Sequence, residues 1–490
     1  MHMSDCLGGY SFYAENPPVN APMLEEPRFV DHGQVTADTF SNQNAHILEI
    51  NSKTGLYPLY VVYSIFRARC VAFAEEELTI EKQNELWAET VQENIFVVCK
   101  TPMAKCITKR TLVGFRKIPV NAHYFDDLIN TMQHKQKQFI DKVLKPSYWD
   151  RKGEKMTFDA IVGNPPYQEE TGSASRQATP VYNIFVEQAK KINPQYISMI
   201  MPSRWFAGGM GLDKFREAMM NDTKICVLKD FVNAKDCFPQ TSISGGVCYF
   251  LRSSSYNGTC EFTNIFNNKS TTLSRYLDEF LFLIRFNEAV SIARLVVNNS
   301  KMFLSEYVSP ISPFGISTKI RGENTSDPLH NIALYSSQGI SYIALSDLPK
   351  GQNMLDNFKV LLSQTSAEHA GEPSKDGSYR ILTSSMKVIK PNEVCTHSYL
   401  VIGSFSKEEN AKNLLFYLKT KFVRFLILLA LSSIHISKST FSFVPMQDFS
   451  SQSDIDWSKS VSDIDQQLYR KYGLSEEEME FVESMIKPME

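Results

Sequence analysis

The sequence has no run of about 18 uncharged apolar residues, and its longest candidate, Phe425 to Ile434, is too short to cross a bilayer. Met1 to Tyr10 lacks the basic-then-apolar layout of a secretory leader. We therefore expect a cytoplasmic protein with no membrane partner. The nine cysteines are scattered, odd in number and never spaced as a C-x-x-C pair, which argues for a reducing compartment and against a structural metal. A G-x-x-x-x-G-K-[ST] turn is missing, as are a convincing nuclease cluster, an internal repeat and a low-complexity tract. Charge of one sign is also missing, for the net value is only −3. Residues 1 to 300 balance at 32 basic and 32 acidic, residues 301 to 450 carry 15 against 12, and residues 451 to 490 carry 4 against 10. The acidic excess sits in the tail, and the remainder is compatible with a nucleic-acid partner without requiring one.

What is present is an ordinary globular composition, 43% hydrophobic and 21% charged over 490 residues, long enough for two domains with smaller attachments. Residues 1–45 are rich in Pro, Asn, Asp and Gly and read as an extended N-terminal arm or the remnant of an upstream region. From His46 the texture changes. Short apolar runs at His46 to Ile50, Ile95 to Cys99, Phe158 to Val162, Tyr196 to Met201, Ile225 to Phe231, Ile243 to Leu251 and Cys260 to Phe266 read as strands. Helical patterns fall between them at Leu56 to Arg69, Asp126 to Leu144, Val181 to Ile192 and Leu212 to Met220. A further helix is expected over Leu273 to Val297. This alternation predicts an α/β fold, a Rossmann-like parallel sheet with helices on both faces, over residues 46–300. Short Ser/Gly/Pro-punctuated strands predict an α+β domain over 301–450. The acidic tail, 451–490, predicts two helices around Gly473, with Ser475 and Glu478 as a capping box.

Parallel sheets bind ligands at the carboxyl ends of their strands. Two turns fall there, Asn51 to Gly55 and Asn164-Pro165-Pro166-Tyr167. In the second, the Asn164 side-chain oxygen and the Pro165 carbonyl are two acceptors held at a fixed angle by the proline restriction of φ. An exocyclic amine such as adenine N6 is a poor nucleophile because its lone pair is delocalised. Accepting both of its hydrogens localises that pair. Tyr167 offers a ring on which an extruded base can stack.

The loop and its surroundings resemble the γ-class amino-methyltransferases that modify adenine in DNA, including the methylase portions of fused restriction and modification enzymes. Beyond the loop, the similarity extends to Pro180 to Ala189, to Met199-Ile200-Met201-Pro202-Ser203-Arg204-Trp205, and to Phe238-Pro239-Gln240 with Ile243 to Phe250. It covers roughly Ile47 to Leu251, and residues 301–450 resemble the family's target-recognition region more loosely. The resemblance implies transfer of a methyl group from S-adenosylmethionine to adenine N6 in double-stranded DNA, with Asn164, Pro165, Pro166 and Tyr167 catalytic and Phe238 contacting the flipped base. It also implies a restriction-modification setting in which a restriction endonuclease or helicase chain is a possible partner.

By the same match the cofactor turn is Leu48 to Gly55, with Glu49 as its acidic residue and Gly55 as its second glycine. Asn51 and Thr54 are expected to serve the methionine end of the cofactor. Asn51 is also expected to adopt a left-handed turn conformation. Lys53 stands where the first glycine belongs. The second strand runs into Lys100-Thr101-Pro102, so no residue is assigned to the ribose. In the second domain Lys319, Arg321, Lys387, Lys390, Lys419, Lys421, Arg424 and Lys438 are interleaved with aromatics, a composition suited to phosphate contacts. Two other readings stay open. One is an amide or RNA amino-methyltransferase using the same loop. The other is a non-catalytic DNA-binding or specificity component with a decayed cofactor site.

Overall fold

The computed structural model describes residues 1–489 except 16, 18–20, 169–178, 210, 242, 268, 367–372, 375, 383–384 and 432–434. It divides into two compact units, Met1–Leu283 and Ile284–Glu490. No helix among the described residues is long and apolar enough to cross a membrane.

The first unit is built on one nine-stranded sheet. Its strands are β1 (Ile47–Ser52), β2 (Ile95–Cys99), β3 (Asn121–Tyr124), β4 (Ala160–Gly163), β5 (Tyr196–Pro202), β6 (Ile225–Phe231), β7 (Val247–Ser253), β8 (Cys260–Phe266) and β9 (Lys269–Arg275). They lie in the order β9-β8-β6-β7-β5-β4-β1-β2-β3. The pairs β2–β3, β1–β2, β1–β4 and β4–β5 are parallel, whereas β7 runs antiparallel to both of its neighbours. Every residue of β1, β2, β4 and β5 is buried. Strands covered on both faces must be apolar throughout, which explains why they read as continuous hydrophobic runs without alternation. Two clusters cover the two faces. Leu48, Ile50, Phe96, Ile161 and Met199 point into one, and Ile47, Val97, Val162 and Ile200 into the other. The Rossmann-like, mostly parallel sheet covered on both faces that the sequence predicts is present.

Several expected elements differ. Within the residues read as an extended arm, His2–Leu7 is helical and buried at His2, Met3, Ser4, Cys6 and Leu7, and Gly9–Ser11 pairs with Arg28–Val30. The Asp126 to Leu144 helix is two, Leu128–His134 and Gln136–Val143, broken at Lys135, whose φ and ψ of −127° and 43° are not helical. The Leu273 to Val297 helix begins only at Glu288. Its first residues instead belong to β9, whose antiparallel pairing with β8 fixes them as strand whatever their local pattern. The strand expected from Ile243 starts at Val247, after Gly245 and Gly246 at φ 84°. Strand β3, at the sheet edge and half polar, has no counterpart among the expected elements.

The second unit is α+β, as expected. Ile332–Ser336, Gly339–Ile343 and Glu393–Cys395 form one three-stranded sheet, and Phe358–Ser363, Lys387–Ile389 and Tyr399–Phe405 form another. The helices Glu408–Lys419 and Lys421–Ala430 follow. Val461–Tyr472 and Glu476–Met485 are the two tail helices, separated at Gly473 with φ 72° and restarted by the reciprocal Ser475–Glu478 capping box. They pack within this unit. Asp465 accepts from the amides of Lys421 (3.0 Å) and Phe422 (2.9 Å) at the start of the Lys421–Ala430 helix, and Phe422 stacks on Tyr472 at 5.2 Å. Asp465→Ala orphans two buried-end amides and is expected to destabilise this unit by about 2 kcal/mol in urea titrations. A loss below about 0.5 kcal/mol would show the cap to be dispensable.

Candidate active site

Strands β1 and β4 are parallel neighbours, with Glu49 opposite Val162. Strand β1 continues to β2 on its other side, so the order reverses between β1 and β4. Such a reversal opens a crevice beyond the carboxyl ends of the strands. Both singled-out turns emerge into it. The two strands approach so closely that a Cβ on Gly163 would lie 2.9 Å from the Ile50 carbonyl oxygen, which requires glycine just before the Asn164 loop.

Asn51 is buried and has φ 73°, the left-handed conformation expected of it. Its Nδ2 donates to the Asn164 carbonyl oxygen at 3.2 Å and ties one turn to the other. The Asn164 side-chain Oδ1 is buried and meets no donor among the described residues. A buried acceptor without a partner costs about 1–3 kcal/mol, and active sites are where such a cost is tolerated because a ligand repays it. Pro165 is buried behind it. Tyr167 is half-buried, its carbonyl accepts from Val181 N at 3.3 Å, and burial pushes its hydroxyl pKa up. Tyr167 and Phe238 border the same core cluster, which also takes in Tyr57 and Cys237. Phe238 itself is held in a turn by Phe238 N to Ala234 O at 2.7 Å and Thr241 N to Phe238 O at 3.0 Å.

On the other side of the crevice Glu49 is 4% exposed and its Oε2 meets no donor among the described residues. Burial pushes the Glu49 carboxyl up to about 8, against a weaker opposing effect of the Ser52 hydroxyl and Lys53. The turn beyond it is braced on the Pro102–Val113 helix. Thr111 Oγ1 donates to Thr54 O at 2.6 Å, the Ser52 and Thr108 hydroxyls meet at 3.0 Å, and a Cβ on Gly55, at φ 79°, would come within 3.0 Å of Thr108 Cα. The left-handed positions of the turn are thus Asn51 and Gly55. Lys53 does not have positive φ, so the residue that departs from the family pattern meets no backbone demand for glycine.

Two residues near this crevice carry no sequence signal. Tyr57, in the first turn of the Leu56–Cys70 helix, has Glu49 and Tyr167 as electrostatic neighbours. Buried His2 holds it, with Nδ1 2.7 Å from the Tyr57 hydroxyl, Nε2 2.8 Å from Ser198 Oγ, and its ring stacked on Tyr249 at 4.9 Å. Desolvation lowers the His2 pKa to about 3, so the ring is neutral at any ordinary pH. Only the position of Tyr57 two residues after the Gly55 bend could have singled it out.

The sheet order, with its reversal between β1 and β4, is that of a Rossmann-like α/β fold. Residues 93–238, which include the Asn164 loop and Phe238, match the model of the Eco57I restriction-modification methylase family, and this bears out the resemblance read from the sequence. The match does not reach the Glu49 to Gly55 turn. Over 117 residues the chain is 35% identical to an uncharacterized adenine-specific methylase of Mycoplasma pneumoniae. That alignment spans 23% of this chain and only 28% of the relative. Among solved structures, the Type IIL restriction-modification enzyme MmeI in complex with DNA is similar over 92% of this chain and 76% of its own, at 10% identity and a TM-score of 0.49. The Type ISP enzyme LlaGI, with a DNA substrate mimic, is similar over 83% and 43%, at 8% identity and a TM-score of 0.45.

Proposed function

We propose that the chain is a site-specific DNA methyltransferase that transfers a methyl group from S-adenosylmethionine to adenine N6 in duplex DNA after flipping the base. The observation that carries this reading is the Asn164 side-chain oxygen, buried without a donor at the point where the sheet order reverses, in a loop segment that matches a methylase family. The residues fit the cofactor. Glu49 Oε2 is a buried acceptor with no donor among the described residues, and the braced Asn51 to Gly55 turn exposes Lys53 and Thr54 beyond it. When bound, S-adenosylmethionine supplies an electrophilic methyl on a sulfonium. Asn164 Oδ1 and the Pro165 carbonyl accept the two N6 hydrogens and localise the nitrogen lone pair toward that methyl. The ring of Tyr167 stacks on the extruded adenine and offsets part of the few kcal/mol lost on leaving the duplex, while Phe238 contacts its edge. Asn51 holds the loop backbone in register with the cofactor turn.

In the second unit the exposed Lys319, Arg321, Lys387 and Lys390 would contact phosphates and set salt-dependent affinity for DNA. A restriction-modification setting, with an endonuclease or helicase chain as partner, rests on the family match alone. The test is incubation of the purified chain with methyl-labelled S-adenosylmethionine and random-sequence duplex DNA, followed by hydrolysis to nucleosides. Label in N6-methyladenosine of the deoxy series is the expected result. Label in protein amides or RNA instead would move the reading to another substrate class, and label nowhere would sink it.

A further inference from the structure

We propose that Lys53 recognises the α-carboxylate of the cofactor's amino-acid end, so that a side-chain cation does in this chain what a bare glycine turn leaves to the backbone. The inference rests on the adenosyl-cofactor reading above and deepens it. Four observations carry it. The parallel register that sets Ser52 opposite Cys99 brings the next residues, Lys53 and Lys100, side by side at the carboxyl ends of β1 and β2. Both side chains are exposed, and neither takes part in an ion pair among the described residues. Lys53 is not in the left-handed region, so the lysine replaces glycine without strain, and the neighbouring left-handed residues Asn51 and Gly55 keep the bend. Glu49, on the strand that leads into the turn and an electrostatic neighbour of Lys53, has a buried carboxyl oxygen with no donor among the described residues.

An amino-acid head carries one ammonium and one carboxylate a few bond lengths apart. An acid at the floor of the turn and a cation on its rim complement that zwitterion, each meeting the opposite charge. A second lysine beside the first raises the positive potential at the rim without being required to touch the ligand. Desolvation chiefly holds the Lys53 ammonium below its ordinary pKa, Glu49 opposes it and Lys100 adds a smaller lowering effect, which places all three groups in one electrostatic neighbourhood. A carboxylate arriving there relieves the repulsion between the two lysines.

The test compares, by calorimetry on the full chain, S-adenosylhomocysteine with the same thioether lacking its carboxylate, 5′-deoxy-5′-(3-aminopropylthio)adenosine. Wild type is expected to prefer the carboxylate-bearing ligand by about ten- to a hundredfold, the size of one charge-assisted hydrogen bond. Lys53→Met is expected to bring that ratio to within about threefold while leaving affinity for the decarboxylated ligand unchanged, and Lys53→Arg is expected to keep most of it. Lys53 is exposed, so both variants should fold, which circular dichroism verifies. A Lys53→Met ratio equal to that of wild type overturns the role of Lys53 alone, as does an Arg variant that behaves like Met. Binding of neither ligand to wild type overturns the adenosyl-cofactor reading together with it.

Discussion

Asn164→Ala is expected to cut adenine methylation by about 10²- to 10³-fold, the usual cost of removing one preorganised group that acts on the charge developing in a transition state. It is expected to leave S-adenosylhomocysteine affinity within about threefold, because the link between loop and cofactor turn runs through the Asn164 backbone carbonyl, which alanine retains. The stability effect should run opposite to the activity effect. In the ligand-free protein the side-chain Oδ1 is buried without a donor, so its removal deletes an unsatisfied group and no hydrogen bond made by that oxygen. A melting temperature at or above that of wild type, alongside near-complete loss of methylation, is therefore the signature of a residue kept for chemistry at a cost to the fold. Methylation within tenfold of wild type, or a melting temperature several degrees lower, would instead identify Asn164 as part of the scaffold.

That signature helps explain which parts of this molecule are legible in its sequence. The Asn164 loop is readable because its signal is local, an apolar strand ending in glycine and then Asn164 with two prolines, although the reason for the glycine, the Ile50 carbonyl, lies far away in sequence. The tail helices are readable for the same reason, since Ser475, Glu478 and Gly473 set their ends through contacts three or four residues apart. The N-terminal helix is not. His2 meets Tyr57 and Ser198, 55 and 196 residues away, and the Asp5 carboxylate meets Lys229 and Tyr249. No window along the chain contains those partners, so a stretch rich in Pro, Asn and Gly reads as an arm. Strand β9 fails similarly, because its register against Cys260–Phe266 outweighs a pattern that continues plausibly into the helix at Glu288. At the cofactor turn the identity of Lys53 was legible as a departure. That it costs no backbone strain depends on φ at Asn51 and Gly55, which the sequence expresses only as a propensity.

Glu49 gives the second large effect, read through pH. Burial holds its carboxyl at about 8 in the ligand-free protein, well above the ordinary glutamate value of 4.5, so at pH 6 to 7 the free site carries a proton there. A folded-state pKa above the unfolded one means that the native state binds the extra proton between those two values. The stability this confers is full at low pH and falls by up to about 1.4 kcal/mol per pH unit until pH 8, where the loss is complete. A cationic amino group bound against Glu49 Oε2 reverses the preference, because it favours the carboxylate. Binding of S-adenosylhomocysteine below pH 8 must then expel a proton. Its affinity is expected to climb by up to tenfold per pH unit from about pH 6 and to level off above pH 8, with close to one proton released in calorimetric titrations run in buffers of different ionisation enthalpy. Glu49→Gln has no proton to release. It is expected to show a flat affinity profile over that range, bind about as tightly as wild type near pH 6, and fall tenfold or more behind it at pH 8. A wild-type profile as flat as that of the glutamine variant would show that Glu49 does not face the bound amine.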